Sequence, residues 1–202
     1  MQLLLLGVSA DGHTIISGGG DKTVRLWDLN GKLIETFEPE YKDKKGHGDA
    51  VWAVAASPDG QTIVSGGEDG KVIFWNRNNG KPIKEIDEES DGHSKAVKGI
   101  AIGQNEEHGE LVASASADKT IKIWDKEGNL KKTISSHDGR IWDIAFSLDG
   151  RSLVSASEDK TLVVWNLEEI LNLDEQEYGC QWIQNYLEHN SEVEEEERTI
   201  CD

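Results

Sequence analysis

The stretch SGGEDGKVIFWN, residues 65 to 76, decides the fold, because the chain repeats it with small changes. The other copies are SGGGDKTVRLWD at 17 to 28, SASADKTIKIWD at 114 to 125 and SASEDKTLVVWN at 155 to 166. Their tryptophans lie 48, 49 and 41 residues apart. A period of about 40 to 45 residues is typical of a unit of four short strands. Four copies at this spacing indicate one structural unit repeated along the chain.

Residues 47 to 86 show how one unit divides into strands. An apolar run at 51 to 57 ends at the turn Pro58-Asp59-Gly60, which predicts an inner strand leading into a hairpin. The segment 72 to 75 alternates, so that Val72 and Phe74 should lie on one sheet face and Ile73 and Trp75 on the other. A polar outer strand is expected at 81 to 86.

The dipeptide that closes the third strand of each unit carries a family signature. It reads Trp-Asp at residues 27 and 124 and Trp-Asn at residues 75 and 165. Residues 1 to 167 thereby resemble a WD40-repeat protein. The resemblance implies an all-β fold of WD40-type β-propeller blades with a small helical tail. The expected repeats are residues 3 to 38, 47 to 86, 93 to 134 and 137 to 167, and the acidic tail is 168 to 202.

The same resemblance implies a hydrogen-bonded set within each blade, formed by a His before the inner strand, a Ser on the second strand, an Asp in the next turn and the Trp. Buried polar groups of these kinds need partners, and together they can supply one another. The first repeat has no such His. The members are His47, Ser65, Asp69 and Trp75; His93, Ser114, Asp118 and Trp124; His137, Ser155, Asp159 and Trp165; and Ser17, Asp21 and Trp27.

Ser, His and Asp together also suggest a hydrolase, since a base beside a hydroxyl activates a nucleophile. A catalytic triad needs one copy in a cleft, whereas this trio recurs at matched spacing in three repeats. The glycine clusters do not form a phosphate-binding loop, and the six His residues lack metal-ligand spacing. We therefore expect no enzyme activity, no cofactor and no metal.

Two tryptophans outside the repeat signature occupy one equivalent position, the second residue of an inner strand. These are Trp52 and Trp142, and the other two repeats place Lys98 and Leu4 there. The resemblance implies that such residues surround the central opening on the face that partners use. An aromatic ring there could anchor a partner, or both rings could fill the channel between blades.

Carboxylates are expected on the same face. The residue before each turn Asp is acidic in two repeats, at Glu68 and Glu158. They favour a basic peptide as partner, and the alternative explanation is ordinary solvated charge. The residues predicted to bind a partner are Trp52, Lys98, Trp142, Glu68, Glu158 and Leu4.

The net charge of −18 argues against nucleic acid or an anionic membrane as partner. Most of it lies in residues 168 to 202, where 12 acidic residues face one Arg. The two cysteines, Cys180 and Cys201, both lie in this tail, so no disulfide framework is expected and a reducing cytoplasm is favoured. An apolar helical spacing at Trp182 and Tyr186 predicts a tail helix.

Propeller rings contain about four to eight blades, and rings of the WD40 kind, which the repeats resemble, usually need about seven, so four such blades are expected to leave an incomplete or open ring. Three explanations stay open: a chain that is the C-terminal part of a longer protein, self-association of two copies to complete the ring, and a small ring that closes alone. The tail resembles the C-terminal ends of large bacterial WD-repeat signalling proteins. The expected function is a protein-interaction scaffold or adaptor. The alternatives are the regulatory sensor end of a larger signalling NTPase or effector protein, and a non-functional repeat fragment.

Overall fold

The computed structural model describes residues 3–9, 12–38, 46–135 and 137–172, with the backbone alone for residues 3 to 6. The chain divides into two compact units, residues 1 to 167 and 168 to 202. All described strands belong to the first unit. The predicted tail helix around Trp182 and both cysteines lie outside the described residues. Within the described part of the chain, no helix is long and apolar enough to cross a membrane.

Fifteen described strands form four antiparallel sheets, in each of which strands adjacent along the chain pair with each other. Blade 1 contains β1 (Leu3–Val8), β2 (Thr14–Gly19), β3 (Val24–Asp28) and β4 (Leu33–Phe37), and blade 2 contains β5 (Val51–Ala56), β6 (Thr62–Gly67), β7 (Val72–Asn76) and β8 (Pro82–Ile86). Blade 3 contains β9 (Val97–Asn105), β10 (Gly109–Ser116), β11 (Ile121–Asp125) and β12 (Leu130–Ile134), and blade 4 contains β13 (Ile141–Phe146), β14 (Ser152–Ser157) and β15 (Leu162–Asn166).

Two short helical elements accompany the strands. A single 3-10 turn, Glu88–Ser90, follows β8, and the helix α1, Leu167–Asn172, follows β15 directly. The prediction of an all-β chain of four blades ending in a helical segment is confirmed.

Turns between the second and third strands require a left-handed residue. Gly70 adopts it with φ 77°, and the equivalent lysines Lys22, Lys119 and Lys160 have φ between 71° and 75°. A glycine enters this region at no steric cost, whereas an L side chain pays about 1 kcal/mol. The hydrogen bond from the Gly70 amide to the Gly67 carbonyl closes the turn of blade 2.

The core lies between the blades. We call the sheet face toward the next blade along the chain the trailing face, and the opposite one the leading face. The alternation predicted for β7 is confirmed, since Ile73 and Trp75 pack on blade 1 while Val72 and Phe74 pack toward blade 3. The inner strands β1, β5, β9 and β13 lie side by side, each in contact with the next. Neighbouring blades therefore contact each other along their inner strands.

Blade 4 differs from the other three, because among the described residues its sheet has the order β13-β14-β15 and no fourth strand. Its trailing face is open to solvent: Leu162 is 74% exposed and Val164 is 69% exposed. The residues at these positions in the two preceding blades are buried. Substantial contacts between described strands of different sheets join consecutive blades, and none joins blade 4 to blade 1. The described blades therefore form an open arc.

Candidate functional site

The predicted polar set of blade 2 is a continuous hydrogen-bonded chain. Trp75 Nε1 donates to Ser65 Oγ over 2.7 Å, and the same oxygen lies 2.7 Å from His47 Nε2. His47 Nδ1 lies 3.1 Å from Asp69 Oδ1. The corresponding three distances are 2.9, 2.8 and 2.9 Å in blade 3, and 2.9, 2.7 and 2.9 Å in blade 4.

One arrangement of protons satisfies the whole chain of groups. The indole donates to the Ser oxygen, the Ser hydroxyl donates to His Nε2, and His Nδ1–H donates to the Asp carboxylate. The imidazole must then be neutral, and burial lowers the pKa of His93 in agreement with this. Burial alone would raise the pKa of Asp118, but hydrogen bonds from His93 and Thr120 hold that pKa far below 3.8.

Blade 1 replaces the missing His with an arginine. Trp27 Nε1 still donates to Ser17 Oγ over 2.8 Å. The Asp21 carboxylate instead accepts 2.7 Å from Arg25 Nη2 and 2.8 Å from Thr23 Oγ1, and the Arg25 hydrogen bond lowers the pKa of Asp21. Sequence comparison of the repeats showed the gap but not its replacement, because Arg25 occupies a strand position that is apolar in blades 2 and 4.

The buried position of these hydrogen-bonded sets indicates a structural role. Ser65 and Ser114 are fully buried, and His47 and His93 are each 1% exposed. The hydroxyl that a hydrolase would use as nucleophile is shielded from solvent and already accepts a hydrogen bond from a Trp. This geometry fastens the second and third strands of a blade to the loop that precedes the first strand.

The four predicted face residues that belong to inner strands each occupy an irregularity in their strand. In blade 2, Val51 pairs with Gly67 and Ala53 with Gly66, which leaves Trp52 as the extra residue of a β-bulge. Blades 1, 3 and 4 have the same register shift at Leu4, Lys98 and Trp142. A bulge turns its extra side chain away from the regular alternation and is frequent beside binding sites. The backbone thus presents one residue per blade in the same way.

The structure brings three of these predicted residues together across two blades. Trp52 Nε1 donates to Glu68 Oε2 over 2.5 Å, and Lys98 Nζ donates to the same oxygen over 2.8 Å. Lys98 Nζ also lies 4.0 Å from the centroid of the Trp52 ring, a cation–π contact. The side chain of Lys98 is 15% exposed and that of Glu68 is 46% exposed.

Trp142 has a different environment. It is 46% exposed and makes no hydrogen bond to any residue that the structure describes. Glu158, the counterpart of Glu68, lies 3.6 Å from Arg140 Nε and is not joined to Trp142. Arg140 is a member of this surface that the sequence alone did not reveal, since nothing in the repeat pattern marks its position.

Two repeats contribute less to the face. Leu4 belongs to β1, but its side chain lies outside the described part of the structure. Gly20 and Ala117 stand where Glu68 and Glu158 stand in the other blades, and they offer no polar side chain. The aromatic and acidic residues of the face therefore belong to blades 2 and 4, and blade 3 adds Lys98.

A cavity of about 570 Å³ lies at the other end of the strands, lined by hairpin residues of blades 2 and 3 such as Asp59, Glu110 and Lys126. Burial raises the pKa of Glu110, and the charge of Asp59 adds to this effect. His108 also lines the cavity, and its Nε2 is buried without a hydrogen-bond partner. Among the described residues, no cluster of His, Cys, Asp and Glu could hold a metal ion.

Known proteins share these features. The family model described as "WD domain, G-beta repeat" matches residues 5–28, 32–76, 80–125 and 128–166. The chain is similar to two solved structures, titled "Structure of U3-55K" and "Crystal structure of RRP9 WD40 repeats", each with a TM-score of 0.73 and 24% identity. They match 84% of this chain, and the match covers 50% and 49% of theirs.

Curated relatives give the same assignment. The nuclear distribution protein PAC1 of Coccidioides posadasii is 33% identical over 167 residues, which is 73% of this chain and 33% of that protein. The PAC1 protein of Candida albicans is 29% identical over 139 residues, 65% of this chain and 21% of that protein. The chain thus spans a third or less of these relatives.

The named relatives are fungal, so they lend no support to the bacterial and signalling resemblance of the tail. The family model covers most of the chain, and the blades described above are those that the resemblance implied. This chain belongs to the WD40-repeat family.

Proposed function

We propose that the chain is a non-catalytic scaffold that binds a protein or peptide on the face carrying the four bulge residues, with Trp142 as its main anchor. WD40-repeat proteins bind other proteins, and the exposure of Trp142 is the observation that supports this particular site. A large aromatic side chain left 46% exposed on a rigid strand offers contact area at little cost in rotamer entropy.

The charge around Trp142 favours a basic segment. Glu158 has a side chain that is 54% exposed, and Asp138 and Asp143 are exposed in the adjoining loop and strand, so these three carboxylates outnumber Arg140, the cation beside Glu158. An Arg or Lys of the partner would meet these carboxylates beside the indole face. Charges at the rim of such an interface act mainly on the association rate and on specificity.

Peptide selection tests this proposal. Twelve-residue peptides displayed on phage are selected on the immobilised chain, and those enriched are measured by fluorescence anisotropy. We expect the enriched peptides to carry Lys or Arg and to bind the Trp142→Ala variant at least tenfold more weakly. Leu148→Ala is the matched control, because Leu148 is fully exposed in the β13–β14 hairpin turn. Peptides without basic residues, or with equal affinity for both variants, would contradict the proposal.

We further propose that a second copy covers the open trailing face of blade 4. Within the chain, trailing faces pack against leading faces, as in the cluster that joins Ile16 and Val24 of blade 1 to Ile73 and Trp75 of blade 2. Blade 4 presents the same kind of apolar surface to solvent at Leu162 and Val164. In another copy the uncovered leading face is that of blade 1, which offers the Trp27 side chain beside the ion pair of Arg25 with Asp21.

Light scattering after size-exclusion chromatography tests the self-association. We expect a mass of twice 22.3 kDa for the chain and a single 22.3 kDa species for the variant Leu162→Asp with Val164→Asp. Leu33→Asp with Ile34→Asp is the control, since these side chains are also exposed but lie on the outer strand of blade 1. A monomeric parent chain would refute the self-association and leave the peptide site untouched.

A further inference from the structure

The cluster of Trp52, Glu68 and Lys98 contains every component of a cation site with the cation already in place. The indole ring supplies a π face, and the Glu68 carboxylate is fixed against it by the indole N–H. Lys98 Nζ lies against both, 4.0 Å from the ring centroid and 2.8 Å from the carboxylate. An aromatic face beside a carboxylate is the environment that an ammonium group prefers outside water.

The cation comes from the neighbouring blade. Trp52 and Glu68 belong to blade 2, and Lys98 is the bulge residue of blade 3. Blade 4 holds the equivalent pair, Trp142 and Glu158, without such a lysine, and its indole is exposed. The two tryptophans therefore differ because one has a following blade with a lysine at the bulge and the other has no following blade among the described residues.

We infer that Trp52 and Glu68 form a subsite for the side-chain ammonium of a partner lysine, and that Lys98 occupies this subsite as a tethered competitor. The inference rests on the proposed partner-binding face and assigns one of its subsites. The Lys98 ammonium is held by contacts that any other ammonium could make in its place. Glu68 is open enough to receive one, since its side chain is 46% exposed.

The competition has a consequence that separates it from a simple contact role. Removing a lysine that contacts the partner would lower the affinity for the partner. Removing a lysine that occupies the subsite would raise that affinity. Cation–π contacts and ion pairs at a partly exposed position are each modest, so removing Lys98 should strengthen binding about three- to tenfold.

Titration with N-acetyl-lysine amide measures the subsite directly. The chain is labelled with ¹⁵N-tryptophan, and the indole resonance of Trp52 is assigned from a Trp52→Phe variant. We expect the Trp52 resonance of Lys98→Met to shift on titration, with a Kd three- to tenfold below that of the parent chain. N-acetyl-norleucine amide, which lacks the ammonium, should leave the resonance in place.

Two further variants control for charge and for folding. Lys131→Met removes the same charge from an exposed site on blade 3 and should titrate like the parent chain. Lys98→Arg keeps a cation in the subsite and should also retain the weaker binding of the parent. Equal Kd values for Lys98→Met and the parent chain, or weaker binding by Lys98→Met, would overturn the inference. The result is independent of the Trp142 peptide test, so failure of either can be recognised separately.

Discussion

Trp75 and Ser65 are joined by a hydrogen bond of 2.7 Å from the indole Nε1 to the hydroxyl oxygen, across the neighbouring strands β7 and β6. Trp75 is 1% exposed and Ser65 is fully buried. The same oxygen also meets His47, so one hydroxyl satisfies two buried groups. Its removal leaves Trp75 Nε1 and His47 Nε2 without this partner, while His47 Nδ1 keeps its contact with Asp69.

Ser65→Ala is therefore expected to lower the free energy of unfolding by about 1 to 3 kcal/mol, the cost of leaving buried polar groups unpaired. Urea unfolding monitored by circular dichroism measures it. Ser17→Ala is the control, since Ser17 accepts from Trp27 in a blade that has no His, and its loss should be smaller. Equal losses would show that the His contact contributes nothing.

The free energy of unfolding should decrease in two steps as the pH is lowered. Burial lowers the pKa of His93 below 6.5, so the unfolded chain binds a proton that the folded chain does not, and stability decreases as the pH falls below 6.5. The pKa of Asp118 lies far below 3.8, so the stability that it contributes is present above that value and is lost as the pH falls below it.

Urea unfolding at intervals from pH 8 to pH 3 measures both steps. His93→Gln should flatten the step below pH 6.5, and Asp118→Asn should reduce the step in acid. A stability that rises as the pH falls from 7 to 5 would contradict the neutral imidazole.

Gly70→Ala should destabilise the chain more than Gly12→Ala does. Both glycines have positive φ, 77° and 68°, so each variant carries a conformational cost of about 1 kcal/mol. A Cβ on Gly70 would also lie 2.6 Å from the His93 carbonyl oxygen, whereas one on Gly12 would meet nothing within 4 Å. Thermal melts should show the larger drop for Gly70→Ala. Identical melting temperatures would show that the loop containing His93 moves to accommodate the added Cβ without loss of stability.

Phe37→Ala should lower the free energy of unfolding by about 3 to 5 kcal/mol through the cavity that it leaves. Phe37 is 1% exposed and packs edge-on against Trp75 of the next blade, with ring centroids 5.9 Å apart. Ile34→Ala on the same strand is the control, because Ile34 is 51% exposed and should cost about 0.5 kcal/mol or less. Urea unfolding compares the two, and equal effects would show that blades 1 and 2 do not pack as described.

The polar sets illustrate what was predictable. His47, Ser65, Asp69 and Trp75 fall within 29 residues of one another, and matched copies elsewhere in the chain expose their offsets. Local alternation also placed Val72 and Trp75 on opposite faces of β7 correctly. These features depend on chemistry within one blade, which the repeat displays several times.

The environments of Trp52 and Trp142 were not predictable. Both occupy the same offset in the repeat, and nothing local distinguishes them. Their difference depends on the blade that follows, which brings Lys98 against Trp52 and leaves Trp142 exposed. The replacement of a His by Arg25 beside Asp21 was hidden for a similar reason, since the repeat pattern records only what the copies share.

By itself, the sequence determined the repeated unit and its strands, because periodic alternation acts over short distances along the chain. Its resemblance to WD40-repeat proteins implied the hydrogen-bonded sets of blades 2 to 4, in which buried polar groups supply one another with partners. Only the tertiary structure decided which face residues are engaged and which are exposed. Those outcomes depend on how the bulges of adjacent blades meet and on where the stack of sheets ends, at the open trailing face of blade 4.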